Sequence, residues 1–193
     1  MQIIIVSNPT ALEHEAVLIN KLFDEGMQLF HLRKPDYSEN EMEKLLEDIK
    51  AEYHVHISLH QHHGLASKFK IKRIHFTEQK RKGTRESELK ELFDNGNILS
   101  TSIHDIKDHA NLSEYFSYAF YGPVFESISK PEHKPKTELP QLEKEERKTK
   151  IIGIGGVTPD NIVTLHQANF DGAALLGSIW TVIGKEIIKN GKA

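Results

Sequence analysis

Lys150-Ile151-Ile152-Gly153-Ile154-Gly155-Gly156-Val157-Thr158-Pro159-Asp160 is the stretch on which the fold turns. A β-rich run from Lys150 to Ile154 closes on two glycines, and Thr158 as N-cap with Pro159 at the first helical position then predicts a helix start. A strand that hands over to a helix in so few residues is one β/α unit.

Working outward, the same unit recurs along the chain. Candidate strands are Gln2 to Val6, Met27 to Leu32, Val55 to Leu59, Arg73 to Phe76, Asn97 to Thr101, Tyr118 to Tyr121, Lys150 to Ile154 and Gly172 to Leu176. Between them lie helical stripes: Leu12, Ala16, Ile19 and Phe23 before a glycine stop at Gly26; Met42, Leu45, Leu46 and Ile49; Leu89, Leu92 and Phe93; and Ile179, Ile183 and Ile187. Gly64 to Lys70 and Asp105 to Glu114 are shorter and more polar helical segments. Strands alternating with helices imply parallel strands and right-handed crossovers, in a doubly wound sheet or a closed barrel. Eight repeats predict a single (β/α)8 TIM barrel over residues 1–193. The doubly wound alternative needs fewer strands and usually a glycine-rich first turn, where this chain has Ser7-Asn8-Pro9-Thr10. At 193 residues the chain is short for a barrel of about 250, so tight loops are expected. The segment 126–150, with Pro131, Pro135 and Pro140 before a charged run, reads as a polar loop plus a surface helix.

Composition narrows the function. The sequence has no cysteine, which removes disulfides, thiolate nucleophiles and Cys-based metal sites together. A net charge of -3 with both signs interspersed gives no basic footprint for nucleic acid. The longest apolar runs fall well short of the roughly 20 residues of a membrane span, and Ser7-Asn8-Pro9 cuts off anything resembling a secretory signal. A cytoplasmic protein with a small-molecule ligand is expected, and a homo-oligomer is compatible with the sequence.

In such a barrel the active site lies at the C-terminal ends of the strands. Gly155 and Gly156 after strand seven, and Leu176, Gly177 and Ser178 after strand eight, occupy the usual place of a phosphate grip; the plainer reading is that the glycines only turn the chain. In strand two, period-two geometry puts His31 and Arg33 on one face, which is the barrel interior if Leu32 points outward. Arg33 could bind a phosphate, or pair with a carboxylate of the barrel, and His31 could move a proton near neutral pH. Five histidines crowd between His54 and His63, without a His-Glu-x-x-His pattern; exposed histidines are expected there rather than a metal cluster, with His60 the member facing the pocket. Ser127, Ser129 and Lys130, after strand six, either grip an anionic substrate or begin a polar loop.

Taken together, His31-Leu-Arg33, Ser102-Ile-His104, Tyr121-Gly-Pro-Val-Phe-Glu-Ser-Ile-Ser-Lys130 and Ile154-Gly-Gly-Val-Thr-Pro-Asp-Asn161 resemble the thiamine phosphate synthase and TenI superfamily, over nearly the whole chain. The resemblance implies an eightfold barrel acting on the phosphate of the thiazole half of thiamine. It places Gly156, Leu176 and Gly177 at the thiazole phosphate, Ser127, Ser129 and Lys130 on the family's Thr-x-Thr-Lys motif, and Ser102 in the pyrophosphate region.

The departures from the pattern matter as much. Where the synthases carry Gln-x-Arg-x-Lys this chain has His31, Arg33 and Pro35, and the two magnesium-holding aspartates fall on Gln61 and Lys80. The resemblance therefore favours the thiazole tautomerase branch, with no cofactor; Mg²⁺ enters only with the synthase alternative. The tautomerase pattern implies a catalytic histidine just before Val-Phe-Glu, where this chain has Pro123. His31, His60 and His104 are the remaining candidates for the base, His31 first. Three readings follow: a tautomerase acting on thiazole phosphate, a synthase joining thiazole phosphate to a pyrimidine diphosphate with release of pyrophosphate, and a non-catalytic binder of thiazole or thiamine phosphates.

Overall fold

The computed structural model describes residues 1–126, 138–143 and 146–181. Eight parallel strands close on themselves in chain order, β1 pairing with both β2 and β8. They are β1 (Gln2–Val6), β2 (Phe30–Leu32), β3 (Ile57–Leu59), β4 (Arg73–Phe76), β5 (Ile98–Ile103), β6 (Phe116–Tyr121), β7 (Lys150–Ile154) and β8 (Gly172–Leu175). The expected eightfold barrel is present. Three strands match the sequence-derived bounds; β2 and β3 are shorter, because Met27 to Leu29 stay outside the strand and Val55 and His56 belong to a 3-10 turn, Ala51–His56.

The helices are α1 (Glu15–Asp24), α2 (Glu39–Asp48), α3 (Leu65–Lys68), α4 (Glu78–Lys82), α5 (Glu86–Asp94) and α6 (Ile162–Gln167). Helix α2 opens on a capping box in which the Ser38 hydroxyl accepts from the Glu41 N–H and the Glu41 carboxylate accepts from the Ser38 N–H. Asp105 to Glu114, expected as a helix, forms a 3-10 segment, Ile106–Asn111. Phe93 is exposed, so only Leu89 of its stripe is fully buried. Residues 177–181 are helical, while Ile183 and Ile187 lie outside the described residues. So does much of the segment 126–150, whose described parts contain no helix.

Strand alternation sorts the core into layers. Leu32, Phe30, Ile57 and Leu59 point outward and pack with Ile19, Phe23, Met42 and Leu46 of the helices. Ile4, Val6, Phe120, Ile152 and Ala174 form a separate apolar cluster on the other side of the sheet, inside the barrel. Trp180, from the helix after β8, donates its indole N–H to the Val6 carbonyl at 2.7 Å and meets Phe30 edge-on. That contact ties the end of the barrel sequence back to β1.

Candidate functional site

With Leu32 outward, His31 turns into the barrel and is fully buried. The neighbouring inward positions are also polar: Ser58 on β3, His75 on β4, Ser100 on β5 and Tyr118 on β6 are all buried. His60 follows the last residue of β3 and is 9% exposed. The interior is therefore divided, polar from β2 to β5 and apolar around β1, β7 and β8.

The polar half is a connected network. His31 Nδ1 lies 2.8 Å from His60 Nε2, and His31 Nε2 lies 2.7 Å from the Tyr118 hydroxyl. His75 sits between Ser100 Oγ at 2.9 Å and Ser102 Oγ at 3.0 Å. Its ring stacks on that of His60, with centroids 4.0 Å apart. Burial strips water from all three imidazoles and disfavours their charged forms, and neighbouring positive charge adds to the effect. His31 is held well below the usual histidine range by burial, then by His75 and Arg73. His60 is held well below it by burial, then by His75, His31, Arg33 and His63. His75 is lowered to about 3 by burial, then by His63 and Arg33. The three rings are neutral at pH 7.

His75 and Tyr118 were missed in the sequence, although a signal was there: by period two Arg73 and His75 share a strand face, as His31 and Arg33 do, and inward histidines on β2 and β4 beside His60 at the end of β3 make a cluster. Arg33 lies past the end of β2 and its side chain is exposed at the rim, while its backbone is clasped by the Ser7 hydroxyl, 2.8 Å from both Arg33 N and Arg33 O. Its charge bears on His60 and His75 and is not among the causes that lower His31. His104 is more than half exposed, bonds the Gly122 carbonyl through Nδ1, and stays apart from the buried trio. Ser102 joins the site through His75. Ser127, Ser129 and Lys130 lie outside the described residues.

The loops after β7 and β8 are fastened together. Gly155 and Gly156 have φ of 95° and 68°, in the left-handed region. A Cβ on Gly156 would stand 2.5 Å from the Glu126 carbonyl oxygen, and one on Gly155 2.8 Å from Pro123. Both glycines are thus already required by the turn and by the β6 loop that crosses them, with Phe125 N–H donating to Gly155 O at 3.0 Å. The helix expected to begin at Pro159, with Thr158 as N-cap, begins three residues later, at Ile162: the Asn161 amide folds back, accepting from Thr158 N–H and donating to Gly156 O at 2.9 Å each, and a turn fills 158–161. The Ser178 hydroxyl donates to Val157 O at 2.9 Å, bridging the two loops. Among the described residues, the N–H groups of Gly156, Gly177 and Ser178 find no backbone acceptor. Gly177 and Ser178 begin the helical segment 177–181, where such donors are free to meet an anion.

The family model for thiamine monophosphate synthase, TMP-TENI, matches residues 3–179. The chain belongs to this family. A thiamine-phosphate synthase of Clostridium tetani is 25% identical over 170 residues, covering 85% of this chain and 78% of that protein. One from Alkaliphilus oremlandii is 34% identical over 95 residues, covering 48% of this chain and 44% of that protein. The crystal structure of thiamine phosphate pyrophosphorylase from Bacteroides thetaiotaomicron superposes with a TM-score of 0.70 at 27% identity, over 94% of this chain and 85% of that one.

Gln61 and Lys80 occupy the positions where the resemblance puts magnesium carboxylates. Gln61 donates its amide to the Lys34 carbonyl, and the Lys80 ammonium lies 3.0 Å from His63 Nδ1. Neither supplies an anionic oxygen, and the interior of the barrel offers imidazoles and hydroxyls instead. This donor set does not fit Mg²⁺, which takes carboxylates together with substrate phosphates. Among the described residues no helix is long and apolar enough to cross a membrane.

Proposed function

We propose that this family member binds thiazole phosphate at the loops after β7 and β8 and joins it to a pyrimidine diphosphate, forming thiamine phosphate and releasing pyrophosphate. The observation that carries the binding step is the set of unpartnered N–H groups of Gly156, Gly177 and Ser178, held in place by the Ser178–Val157 bond. The coupling step is supported by the relatives that span most or half of this chain, both named thiamine-phosphate synthases. In this reading the thiazole nitrogen attacks the pyrimidine methylene as the bond to the diphosphate breaks. Arg33, just past the end of β2, and Lys80, in α4 after β4, provide positive charge for the leaving group.

A second reading, tautomerisation of a thiazole phosphate, is favoured by one specific observation. His60, His31 and Tyr118 form a chain of neutral hydrogen-bonding groups leading from the mouth into the barrel, a route by which a proton can be moved. His60 stands nearer the mouth than the fully shielded His31, so His60 is the group that would meet a substrate, with His31 behind it.

One assay separates the readings. Purified protein is given thiazole phosphate alone, or with the pyrimidine diphosphate, and both thiamine phosphate and the thiazole isomers are followed. Coupling is expected only when both substrates are present. Isomerisation without coupling would replace the first reading by the second, and neither reaction despite tight binding would leave a carrier of thiazole phosphate.

A further inference from the structure

We propose that His31, His60 and His75 form a binding site for a divalent transition metal, zinc first among them, inside the barrel. One ligand nitrogen from each of the three lies within 4.8 Å of the other two, and all three residues are buried. Zn–N bonds of 2.0–2.1 Å in tetrahedral array set the nitrogens about 3.4 Å apart. The 2.8 Å between His31 Nδ1 and His60 Nε2 is shorter than that, and a nitrogen of His75 lies within 4.8 Å of both rings' ligand nitrogens, so the three can surround one ion by rotation of the rings.

Groups behind two of the three rings add to the case. A metal-bound imidazole needs its second nitrogen protonated and held by an acceptor. His31 Nε2 has the Tyr118 hydroxyl at 2.7 Å, so the proton that bridges His31 and His60 can sit on Nε2 and leave Nδ1 free for the metal. His75 has a serine hydroxyl at each nitrogen; whichever nitrogen turns to the metal, the other keeps its serine. Three uncharged imidazoles without thiolate or carboxylate suit Zn²⁺, Ni²⁺ or Cu²⁺, and are a poor match for Mg²⁺ or Ca²⁺. Three protein ligands leave a coordination position for water or a substrate oxygen, the arrangement of reactive rather than structural zinc. The site stands independently of which reaction the barrel performs.

The test is metal binding by the full chain. Chelator-treated protein is titrated with Zn²⁺ by calorimetry, and dialysed protein is analysed for bound metal. Co²⁺ is used as a visible-absorption probe of four-coordinate geometry. One equivalent per chain is expected, with binding weakened at least 100-fold in His75→Asn and in His60→Asn, and unchanged in the double variant His62→Asn/His63→Asn. A zinc-induced rise in the wild-type melting temperature that is absent in His75→Asn provides a readout even if a variant is less stable. Failure to bind zinc at tenfold excess would overturn the proposal. So would binding that survives in His75→Asn and disappears in the His62/His63 variant, which would assign the metal to the loop.

Discussion

His31 Nδ1 and His60 Nε2 face each other at 2.8 Å inside the barrel, where both rings are buried. Only one proton fits between the two nitrogens at that distance, so one ring donates and the other accepts, and a second proton there would set two N–H donors against each other. Protonating a ring would add a positive charge to the buried cluster that His31, His60 and His75 make with Tyr118, Ser100 and Ser102.

Stability should therefore depend on pH in a definite direction. The folded-state pKa of His75 is about 3, against about 6.5 when unfolded, and His31 and His60 are lowered as well. Between those values the unfolded chain binds more protons, so stability is complete above about pH 6.5 and falls as the pH drops toward the folded pKa. Each such histidine contributes a slope of about 1.4 kcal/mol per pH unit. Urea denaturation of chelator-treated protein from pH 7.5 to 4.5 should show the decline, with a shallower slope in His75→Gln. A flat profile would mean that the histidines are hydrated in solution.

Removing half of the buried Lys34–Glu15 pair, whose charged atoms are 2.5 Å apart, should be costly. Lys34 also donates to Thr10 O at 2.7 Å, and burial raises the Glu15 pKa against the opposing influence of the ammonium. Lys34→Met leaves Glu15 without its cation and is expected to lose about 3–5 kcal/mol, with a smaller loss in the double variant Lys34→Met/Glu15→Leu. Chemical denaturation of both checks this; equal losses would show that the pair is not coupled.

For proton transfer, His60→Asn and His31→Asn should each reduce thiazole phosphate isomerisation on the order of 10²-fold with little change in affinity, if the second reading holds. His104→Asn should be silent, because that ring lies at the surface on the Gly122 carbonyl. Steady-state kinetics on the three variants decide the matter, and wild-type rates in both of the first two would remove the histidines from the reaction.

The barrel was legible because it is written in periodicity: eight β-rich runs separated by helical segments. The loops after β7 and β8 were legible as glycines at strand ends, and the structure gives Gly155 and Gly156 a reason to be glycine that is independent of any ligand, the β6 loop lying against them. What the sequence concealed was lateral. His31, His60 and His75 are far apart in the chain, and only the registers of β2 with β3 and of β3 with β4 bring them together. The late start of α6 was concealed for a related reason, since Asn161 has two loop partners that outweigh a helical first turn at Thr158.

The central claim, that a phosphate is gripped between the β7 and β8 loops, is tested most directly by calorimetry with thiazole phosphate and with the same thiazole lacking its phosphate, on wild type and on Ser178→Asp. An aspartate suits the start of a helix, so the variant should fold; it gives up the bond that the Ser178 hydroxyl donates to Val157 O, and its carboxylate competes for the N–H groups that would receive the phosphate. The prediction is that wild type binds the phosphate ester at least tenfold more tightly than the free alcohol, and that Ser178→Asp loses this preference. Equal affinities for the two thiazoles in the wild type, or an undiminished preference in Ser178→Asp, would contradict it.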